Sequence, residues 1–407
     1  MSSATYKVEE MGQLYLFDID EAQTNSHLDA AQWQGSFNGK ESTLQQLSPY
    51  VGKLKSGMVR ALISRYSRQG DIVLDPFCGS GVVPLEALLS GRQAWANDLS
   101  TYAYVLTRGK LEAPESEMMA IEQARGLVAS IKELLPSVDT SVVPDWIREF
   151  YHPDTLREIV VAFKLLRTQE NYFLMACLLG ILHHVRPGFL SYPASHLVPY
   201  LRVKMYPPEQ YPAMYAYRDL ESRLLAKVHR AYRRGTLPPG ERPQHKVWQV
   251  NSMSLPIAGE SVDSIISSPP YFGALDYARD NRLRLWFLGC EDWKELDKSL
   301  TANSKVYLPQ MGVCLKEMER VLKPGGHCVL VLGDVERDGR TRRTAEILGD
   351  LASEVTEGRL SVGTIYDDLI PDERRSRRET KTTRFERILM MKKSYSNNSD
   401  RLDGPST

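Results

Sequence analysis

The apolar and polar positions of residues 49–111 follow two alternating periods. Short apolar runs that suit buried strands alternate with segments whose apolar residues recur at helical spacing. This alternation is typical of a parallel sheet with helices on both faces. The predicted elements, in order, are a helix in SGMVRALISRY (56–66), a strand in DIVLD (71–75), a helix in VVPLEALLSG (82–91), a strand in RQAWAND (92–98) and a helix in STYAYVLTRGKL (100–111).

The pattern changes over residues 111–245, which we call the insert. Long helical patterns such as SEMMAIEQARGLVASIKELL (116–135) are followed by an irregular stretch rich in proline and tyrosine. Strand signals return at Lys246, with VWQVN, VDSIISS and HCVLVLGD, and LSVGTIYDDLI and FERILMMKK predict a closing pair of strands. We therefore expect one α/β domain, split by a mostly helical insert. The predicted parts are an N-terminal arm (1–47), a first catalytic part (48–110), the insert (111–245), a second catalytic part (246–393) and a disordered tail (394–407).

Composition narrows the function classes. The 407 residues carry a formal net charge of +0, so a polyanion partner needs a local basic patch rather than bulk charge. The five cysteines show no CxxC spacing, which argues against a zinc site or a disulfide framework and predicts no bound metal. No apolar run of about 18 residues and no signal pattern occur, so a cytoplasmic protein without a membrane span is expected.

Two loops carry candidate chemistry. In DPFCGSG (75–81), a strand breaks into a loop whose glycines Gly79 and Gly81 allow close backbone approach, just before a helix start that offers free N–H groups. The spacing is not the GxGxxG of dinucleotide enzymes. Asp98 closes the next strand, where an acid reaches ribose hydroxyls in open α/β sheets; capping of the following helix is an equal alternative. The second loop, SSPPYF (267–272), ends a buried strand with two prolines and an aromatic.

Together these loops resemble the amino-methylating DNA methyltransferases. DPFCGSG is similar to their cofactor loop and Ser268-Pro-Pro-Tyr271 to their catalytic motif, in the serine form typical of cytosine-N4 enzymes. Further similarity lies in SPYVGKLKSGMVRALISRY, GRQAWANDLS, VNSMSLPIAGESVDSIISSPPY and MERVLKPGGHCVLVLGD. The resemblance covers most of the chain outside the insert. It implies a class I methyltransferase-like, doubly wound mixed sheet, mostly parallel with an antiparallel last strand.

The resemblance also implies a cofactor and a site. S-adenosylmethionine would be bound by Asp75, Pro76, Phe77, Gly79, Gly81, Asp98 and Asn251, of which Asn251 departs from the family's usual aspartate. The catalytic residues would be Ser268, Pro269, Pro270 and Tyr271. The Pro269 carbonyl and the Ser268 side chain would accept hydrogen bonds from the target amine, and Tyr271 would stack on a flipped base. No Pro-Cys context surrounds Cys78 or Cys290, so no covalent intermediate is expected.

The expected substrate is duplex DNA, methylated at cytosine N4, with a cognate restriction endonuclease as a further possible partner. Phosphate contacts are predicted for Arg233 and Arg234 at the end of the insert, and for Arg374, Arg375, Arg377 and Arg378 between the last strands. The motif order, with the insert between the two loops, resembles the class whose target-recognition domain lies there. Adenine-N6 DNA methylation, RNA amino-methylation and a binding protein without catalysis stay open as alternatives.

Overall fold

The structure, a computed structural model, describes residues 5–10, 13–18, 41–235, 237, 240, 243–270, 277–295, 306–337, 340–369 and 385–395. Eleven strands lie in these ranges: β1 (Thr5–Glu10), β2 (Gln13–Asp18), β3 (Ile72–Asp75), β4 (Gln93–Asn97), β5 (His245–Trp248), β6 (Val262–Ser267), β7 (Leu322–Gly333), β8 (Val335–Arg337), β9 (Arg340–Arg342), β10 (Leu360–Leu369) and β11 (Phe385–Lys393).

Seven of these strands form one sheet in the order β10-β11-β7-β6-β3-β4-β5. β3 pairs in parallel with β4 and β6, β4 with β5, and β6 with β7, whereas β11 runs antiparallel to both β7 and β10. The predicted sheet, mostly parallel with an antiparallel last strand, is confirmed. β1 with β2 and β8 with β9 form two separate antiparallel pairs.

Helices cover both faces of the sheet. They are α1 (Ser56–Tyr66), α2 (Val82–Leu89), α3 (Thr101–Leu111), α4 (Glu117–Leu134), α5 (Asp145–Arg148), α6 (Pro153–Thr168), α7 (Tyr172–Ile181), α8 (Leu220–Ala231), α9 (Tyr277–Asp280), α10 (Arg282–Phe287), α11 (Tyr307–Val321) and α12 (Thr344–Val355). Among the described residues, no helix combines the length and the apolar character that crossing a membrane requires.

The strands are apolar on both sides because both sides are covered. Val73 points into a core shared with α1, α2, α3 and the helices of the insert, whereas its neighbour Leu74 points into a second core with α11 and α12. Since successive side chains of a strand alternate between faces, one short strand serves both cores. The insert thus packs on one face of the sheet and shares its hydrophobic core.

Residues 41–47, the last part of the predicted arm, pack against the insert. A 3₁₀ turn at Thr43–Gln46 buries Leu44 and Leu47 fully, and Thr43 Oγ1 donates to the carbonyl of Ala231 at 2.7 Å. A Cβ placed at Gly180 of α7 would lie 1.9 Å from the Leu47 carbonyl oxygen, so this contact is close. The sequence gives no sign of this packing, because two leucines in a polar stretch show no helical or strand period.

A buried ion network fixes the last strands. The Nε of Arg387 on β11 lies 3.0 and 2.9 Å from the two carboxylate oxygens of Asp334, which follows β7. Its Nη1 donates to Asp367 on β10 at 2.6 Å. The side chains of Arg387 and Asp334 are 7% and 5% exposed, so removal of one partner would leave the other buried and unpaired. A second buried pair joins Lys55, at the start of α1, to Asp368.

Candidate active site

The carboxyl ends of the parallel strands converge on one cavity. β3 ends at Asp75, β4 at Asn97 and β6 at Ser267, and ligands of open α/β sheets bind at this edge. The cavity is lined by residues from both catalytic parts of the chain: Tyr50, Gly52, Lys53, Leu54, Asp75, Phe77, Cys78, Gly79, Ser80, Val82, Val83, Asp98, Leu99, Ser100, Asn251, Ser252, Met253, Ser268, Pro270, Tyr277, Asn281, Tyr307, Gln310, Met311 and Cys314.

The glycine loop between β3 and α2 has the backbone of a ligand cradle. Gly79 and Gly81 have φ values of 48° and 75°, in the left-handed region that favours glycine. A Cβ at Gly79 would lie 3.1 Å from the ring of Tyr50, and one at Gly81 would lie 2.7 Å from Thr107 Oγ1. Between them, the Ser80 hydroxyl is buried and has no hydrogen-bond partner within the described residues. The loop therefore offers one unused polar group to a ligand.

Asp98, just past β4, connects this loop to the start of α3. Its carboxylate accepts hydrogen bonds from the backbone N–H groups of Gly79 and Ser100, each at 2.9 Å. Burial raises the pKa of Asp98 to about 6, against the lowering effect of these hydrogen bonds. Both the ribose contact and the helix cap were open alternatives in the sequence. In the structure, Asp98 accepts a hydrogen bond from Ser100 at the start of α3 and also lines the cavity.

Asp75 is the second buried acid of the cavity. Its Oδ1 accepts from the Ser267 hydroxyl at 2.6 Å and from the Phe77 backbone at 3.2 Å. Burial raises the pKa of Asp75 to about 7, and the nearby Asp98 carboxylate adds to this rise. Within the described part of the chain, neither acid has a cationic side chain in an ion pair. The cavity therefore suits a ligand that carries positive charge.

The proline loop begins where β6 ends. The Ser268 hydroxyl donates to the Val331 carbonyl on the adjacent β7 at 3.0 Å, which fixes its orientation. Because the proton is used in this bond, the lone pairs of the oxygen can accept from another group. Ser268 and Pro270 line the cavity, whereas Pro269 is buried beside it. Tyr271 and Phe272 lie outside the described residues.

Asn97 is a structural residue that the sequence analysis missed. Its Nδ2 donates to the carbonyls of Pro76 and Val250 at 3.3 and 3.0 Å, and its Oδ1 accepts from the Val250 N–H at 3.1 Å. This amide ties the glycine loop to the stretch that follows β5. Asn251 lies in that stretch, is exposed, and uses its Oδ1 to accept from Met253 at 3.0 Å. Its predicted adenine contact stays a prediction.

Aromatic residues far apart in the sequence complete the wall. The rings of Tyr50 and Tyr277 lie 6.3 Å apart, and Tyr50 stacks on Tyr102 at 5.8 Å. Asn281 lines the cavity beside them, with its Nδ2 donating to the Tyr277 carbonyl at 3.0 Å and its Oδ1 accepting from Arg284 at 3.2 Å. Tyr50 lies in the SPYVGK segment that resembles the family, but no sequence pattern assigns it, Tyr277 or Asn281 to the cavity wall.

Most of the predicted cofactor-binding and catalytic residues meet in this cavity: Asp75, Phe77, Gly79, Asp98, Asn251, Ser268 and Pro270. Pro76, Gly81 and Pro269 do not line it, although they belong to the two loops that form it. The Pro76 carbonyl is used by Asn97 and by the Ser252 hydroxyl. The roles of all these residues stay predictions.

The predicted DNA-contacting residues lie elsewhere or outside the described ranges. Arg233 and Arg234 are exposed just past α8, and the Arg234 carbonyl accepts from the Thr43 N–H at 2.9 Å. Lys227, on α8 shortly before them, is buried and donates to the Gln46 carbonyl at 2.7 Å, so it does not face a phosphate backbone. Arg374, Arg375, Arg377 and Arg378 lie outside the described residues.

Cys78 lies within the glycine loop, but its surroundings do not favour a nucleophilic thiolate. It is buried, and burial raises the pKa of its thiol well above the usual value, an effect that Asp98 strengthens. A neutral thiol attacks poorly, because the thiolate is the reactive form. Cys290 is partly exposed beyond α10 and does not line the cavity.

The residues of the cavity fit S-adenosylmethionine. The unpartnered Ser80 hydroxyl and the close backbone of Gly79 suit its polar end, and the two buried acids suit its positive charge. Phe77 and Met253 add apolar surface. Within the described ranges, no group of three or more His, Cys, Asp or Glu side chains is arranged to hold a metal ion.

The fold and this cavity define a class I methyltransferase architecture: a seven-stranded, mostly parallel sheet with helices on both faces and a ligand site at its carboxyl edge. Residues 20–128 match the family model described as DNA methylase. This match supports the amino-methylating DNA methyltransferase family that the motifs predict, over the part of the chain that carries the cofactor loop. No curated protein matches the chain.

Three solved structures that the chain matches have low sequence identity to it. TrmN from Thermus thermophilus is 12% identical over 86% of this chain and 52% of that one, with a TM-score of 0.34. A SAM-dependent methyltransferase from Methanosarcina mazei is 12% identical over 82% and 97%, with a TM-score of 0.33. A candidate DNA modification methylase from Thermus thermophilus, solved with S-adenosyl-L-methionine, is 20% identical over 37% and 51%, with a TM-score of 0.22. The chain thus spans about half of two of these proteins.

Proposed function

We propose that the protein transfers a methyl group from S-adenosylmethionine to the N4 amine of cytosine in duplex DNA. The observation that carries this proposal is the meeting of two loops in one cavity: the glycine loop after β3, and Ser268 with Pro270 after β6. The family match over residues 20–128 supports methylation of DNA. The choice of cytosine rests on the serine form of the SPPY motif.

The chemistry requires acceptors for the target amine. The lone pair of an exocyclic amine is conjugated with the ring, so the nitrogen must pyramidalise before it attacks a methyl group. Ser268 suits this task, because its proton is held by the Val331 carbonyl and its lone pairs are left to accept an amine hydrogen. The main-chain carbonyl of Pro269 would accept the second, and two prolines make the loop rigid.

Bound in the cavity, S-adenosylmethionine supplies an electrophilic methyl group on a sulfonium. The residues that would hold it are Ser80 and Gly79 in the glycine loop, with Asp98 and Asp75 providing negative charge. The protein would then accelerate the reaction by holding the amine and the methyl group in line, and such orientation can lower the barrier substantially. No step needs a nucleophilic cysteine.

The target base must leave the duplex to reach this cavity, at a cost of a few kcal/mol. Stacking on an aromatic residue recovers roughly 1–3 kcal/mol per base. Tyr271 is the proposed stacking partner from the motif. Tyr50 and Tyr277, which line the cavity at 6.3 Å from each other, add further aromatic surface.

Phosphate contacts are proposed for Arg233 and Arg234 and for the arginines of residues 370–384. Support for the second group comes from the strands that flank it. Leu369 pairs with Phe385, and Glu386 pairs with Gly333 at the carboxyl end of β7. The described residues on either side of these arginines therefore lie at the edge of the sheet that holds the cavity, which supports the proposal. We also propose a DNA-associated, cytoplasmic enzyme of a modification system, with a cognate nuclease as a possible partner.

The direct test is transfer of labelled methyl from S-adenosylmethionine to mixed-sequence duplex DNA and to RNA, followed by nucleoside mass analysis. Label in N4-methylcytosine is expected. Label in N6-methyladenine would keep the cavity chemistry but refute the base assignment, and label in RNA alone would refute the substrate class.

The Ser268→Ala variant tests the catalytic role. Loss of a hydrogen bond to a group that gains charge predicts a kcat about 10- to 100-fold lower with unchanged cofactor affinity. Ser254→Ala, at an exposed serine outside the cavity, is the matched control and should keep wild-type kcat. Full activity of Ser268→Ala would remove the serine from the mechanism.

A further inference from the structure

A short hairpin of the insert lies next to the cavity. Residues 194–201 fold back through a bridge between Ala194 and Leu201, and the Ser195 N–H donates to the Tyr200 carbonyl at 3.0 Å. The Ser195 carbonyl in turn lies 2.8 Å from Nδ1 of the buried His183 on the inner side. The hairpin is thus fixed to the core of the insert by its base.

The tip of this hairpin is held by α10. Arg282 Nη2 donates to the Pro199 carbonyl at 2.6 Å, and the buried Arg284 reaches the Leu197 carbonyl at 3.3 Å. Asn281, directly before Arg282, lines the cavity and accepts from Arg284. Arg284 therefore contacts both the hairpin and a residue of the cavity wall. These contacts fix the position of the hairpin relative to the cavity.

The outer surface of the hairpin region combines aromatic, apolar and cationic side chains. Tyr200 is 52% exposed, and Met205, just beyond the hairpin, is 60% exposed. Residues 183–217 contain three cationic side chains, Arg186, Arg202 and Lys204, against one acid, Glu209. An exposed aromatic ring among cations suits nucleic acid, because bases stack on the ring and phosphates pair with the charges.

We infer that this hairpin contacts the DNA beside the flipped base, with Tyr200 stacking on a nucleobase and Arg202 and Lys204 binding the adjacent phosphates. This inference rests on the proposed function and extends it, because it assigns one part of the insert to the nucleic acid. A partner protein fits less well: the exposed apolar side chains are interrupted by charges of one sign, and the surface borders the cavity that a flipped base must enter.

The experiment measures binding of a fluorescent mixed-sequence duplex by anisotropy, with S-adenosylhomocysteine present, and in parallel KM for DNA in methyl transfer. Tyr200→Ala should weaken DNA binding about 5- to 100-fold, the range expected for loss of one stacked base. Tyr200→Phe keeps the ring and should bind within about two-fold of wild type. Arg202→Gln should reduce the slope of log Kd against log salt by about 1.

Tyr217→Ala is the matched control, because Tyr217 is a similarly exposed tyrosine of the insert, 47% exposed, that contacts Glu158 and His152 instead. It should bind DNA like the wild type, and cofactor affinity should stay unchanged in every variant. Equal DNA affinity of Tyr200→Ala and wild type would overturn the inference, as would a wild type that binds no DNA. Duplex binding without any methylated nucleoside would instead refute the proposed function and leave the contact standing.

Discussion

Gly81 provides the sharpest test of how the glycine loop is built. Its φ of 75° lies in the left-handed region, and a Cβ there would lie 2.7 Å from Thr107 Oγ1 and 2.9 Å from Thr107 Cα. The second distance involves the backbone of α3, which cannot rotate away as a side chain can. Gly81→Ala therefore combines backbone strain with a steric conflict between the loop and α3.

The two effects can be separated by a second glycine. A non-glycine residue in the left-handed region costs about 1–2 kcal/mol, and overpacking of a close contact typically costs about 1–3 kcal/mol. Gly81→Ala should therefore lower the free energy of unfolding by about 2–5 kcal/mol. Gly70 has a φ of 86°, but no atom of the described residues lies within 4 Å of the place that a Cβ would take, so Gly70→Ala should show the strain alone.

The assay is urea unfolding of both variants, followed by calorimetric titration with S-adenosylmethionine. A lower midpoint at constant slope reports stability without a change in the unfolded state. We expect a larger midpoint loss for Gly81→Ala than for Gly70→Ala, and weaker cofactor binding for Gly81→Ala only. Adding Thr107→Ala should restore part of the loss, because it removes Oγ1 but leaves the conflict with the helix backbone. Equal midpoints for the two glycine variants would refute the close packing of loop and helix.

Three further predictions concern the fold and the cavity. Gly180→Ala should lower the free energy of unfolding by about 3 kcal/mol or more, because its Cβ would clash with the Leu47 carbonyl. Gly126→Ala, in α4, should raise it by about 0.5–1 kcal/mol, since no atom of the described residues lies within 4 Å of the added Cβ. Urea unfolding measures both changes. Arg387→Met should lower the free energy of unfolding by about 3–5 kcal/mol, because it leaves the buried Asp334 carboxylate without its cationic partner. Lys132→Ala, which removes an exposed ion pair, should leave the urea midpoint unchanged. Burial raises the pKa of Asp75 from 3.8 to about 7. Between these pH values the folded state keeps a proton that the unfolded state has lost, so stability falls as pH rises. Asp75→Asn should flatten this decline in a series of melting temperatures measured across pH 4–8.

The local patterns predicted the catalytic elements because each has its own signal. An apolar run followed by a glycine loop marks β3 and α2, and prolines after an apolar run mark the end of β6. The closing pair β10 and β11 was predicted for the same reason, and all of these elements are confirmed. What local patterns cannot supply is which distant segments meet. Tyr50 and Tyr277 lie on opposite sides of the insert in sequence, and only the closure of the sheet brings their rings together.

Polar partners were harder to predict than polar positions. The sequence marks Asp98 as an acid at the end of a strand, but the two backbone N–H groups that it accepts from depend on the exact path of the glycine loop. The amide Nδ2 of its neighbour Asn97 forms three hydrogen bonds to two distant segments, which no pattern in the sequence indicates. Sequence patterns cannot identify an asparagine that bridges distant segments, since asparagine is also common in loops where it has no bridging role.

The two acids of the cavity link cofactor binding to the stability of the fold. Burial without a cationic partner in the described part of the chain raises the pKa of Asp75 and of Asp98, because burial disfavours their ionised forms. A ligand with a sulfonium and an ammonium group reverses this, because each positive charge favours the ionised carboxylates. Binding must then release protons near neutral pH, and by the same linkage it stabilises the folded chain more at pH 8 than at pH 5. Once the methyl group has been transferred, the sulfonium charge is gone while the carboxylates remain. The cavity should accordingly hold the product less tightly than the methyl donor, which favours turnover.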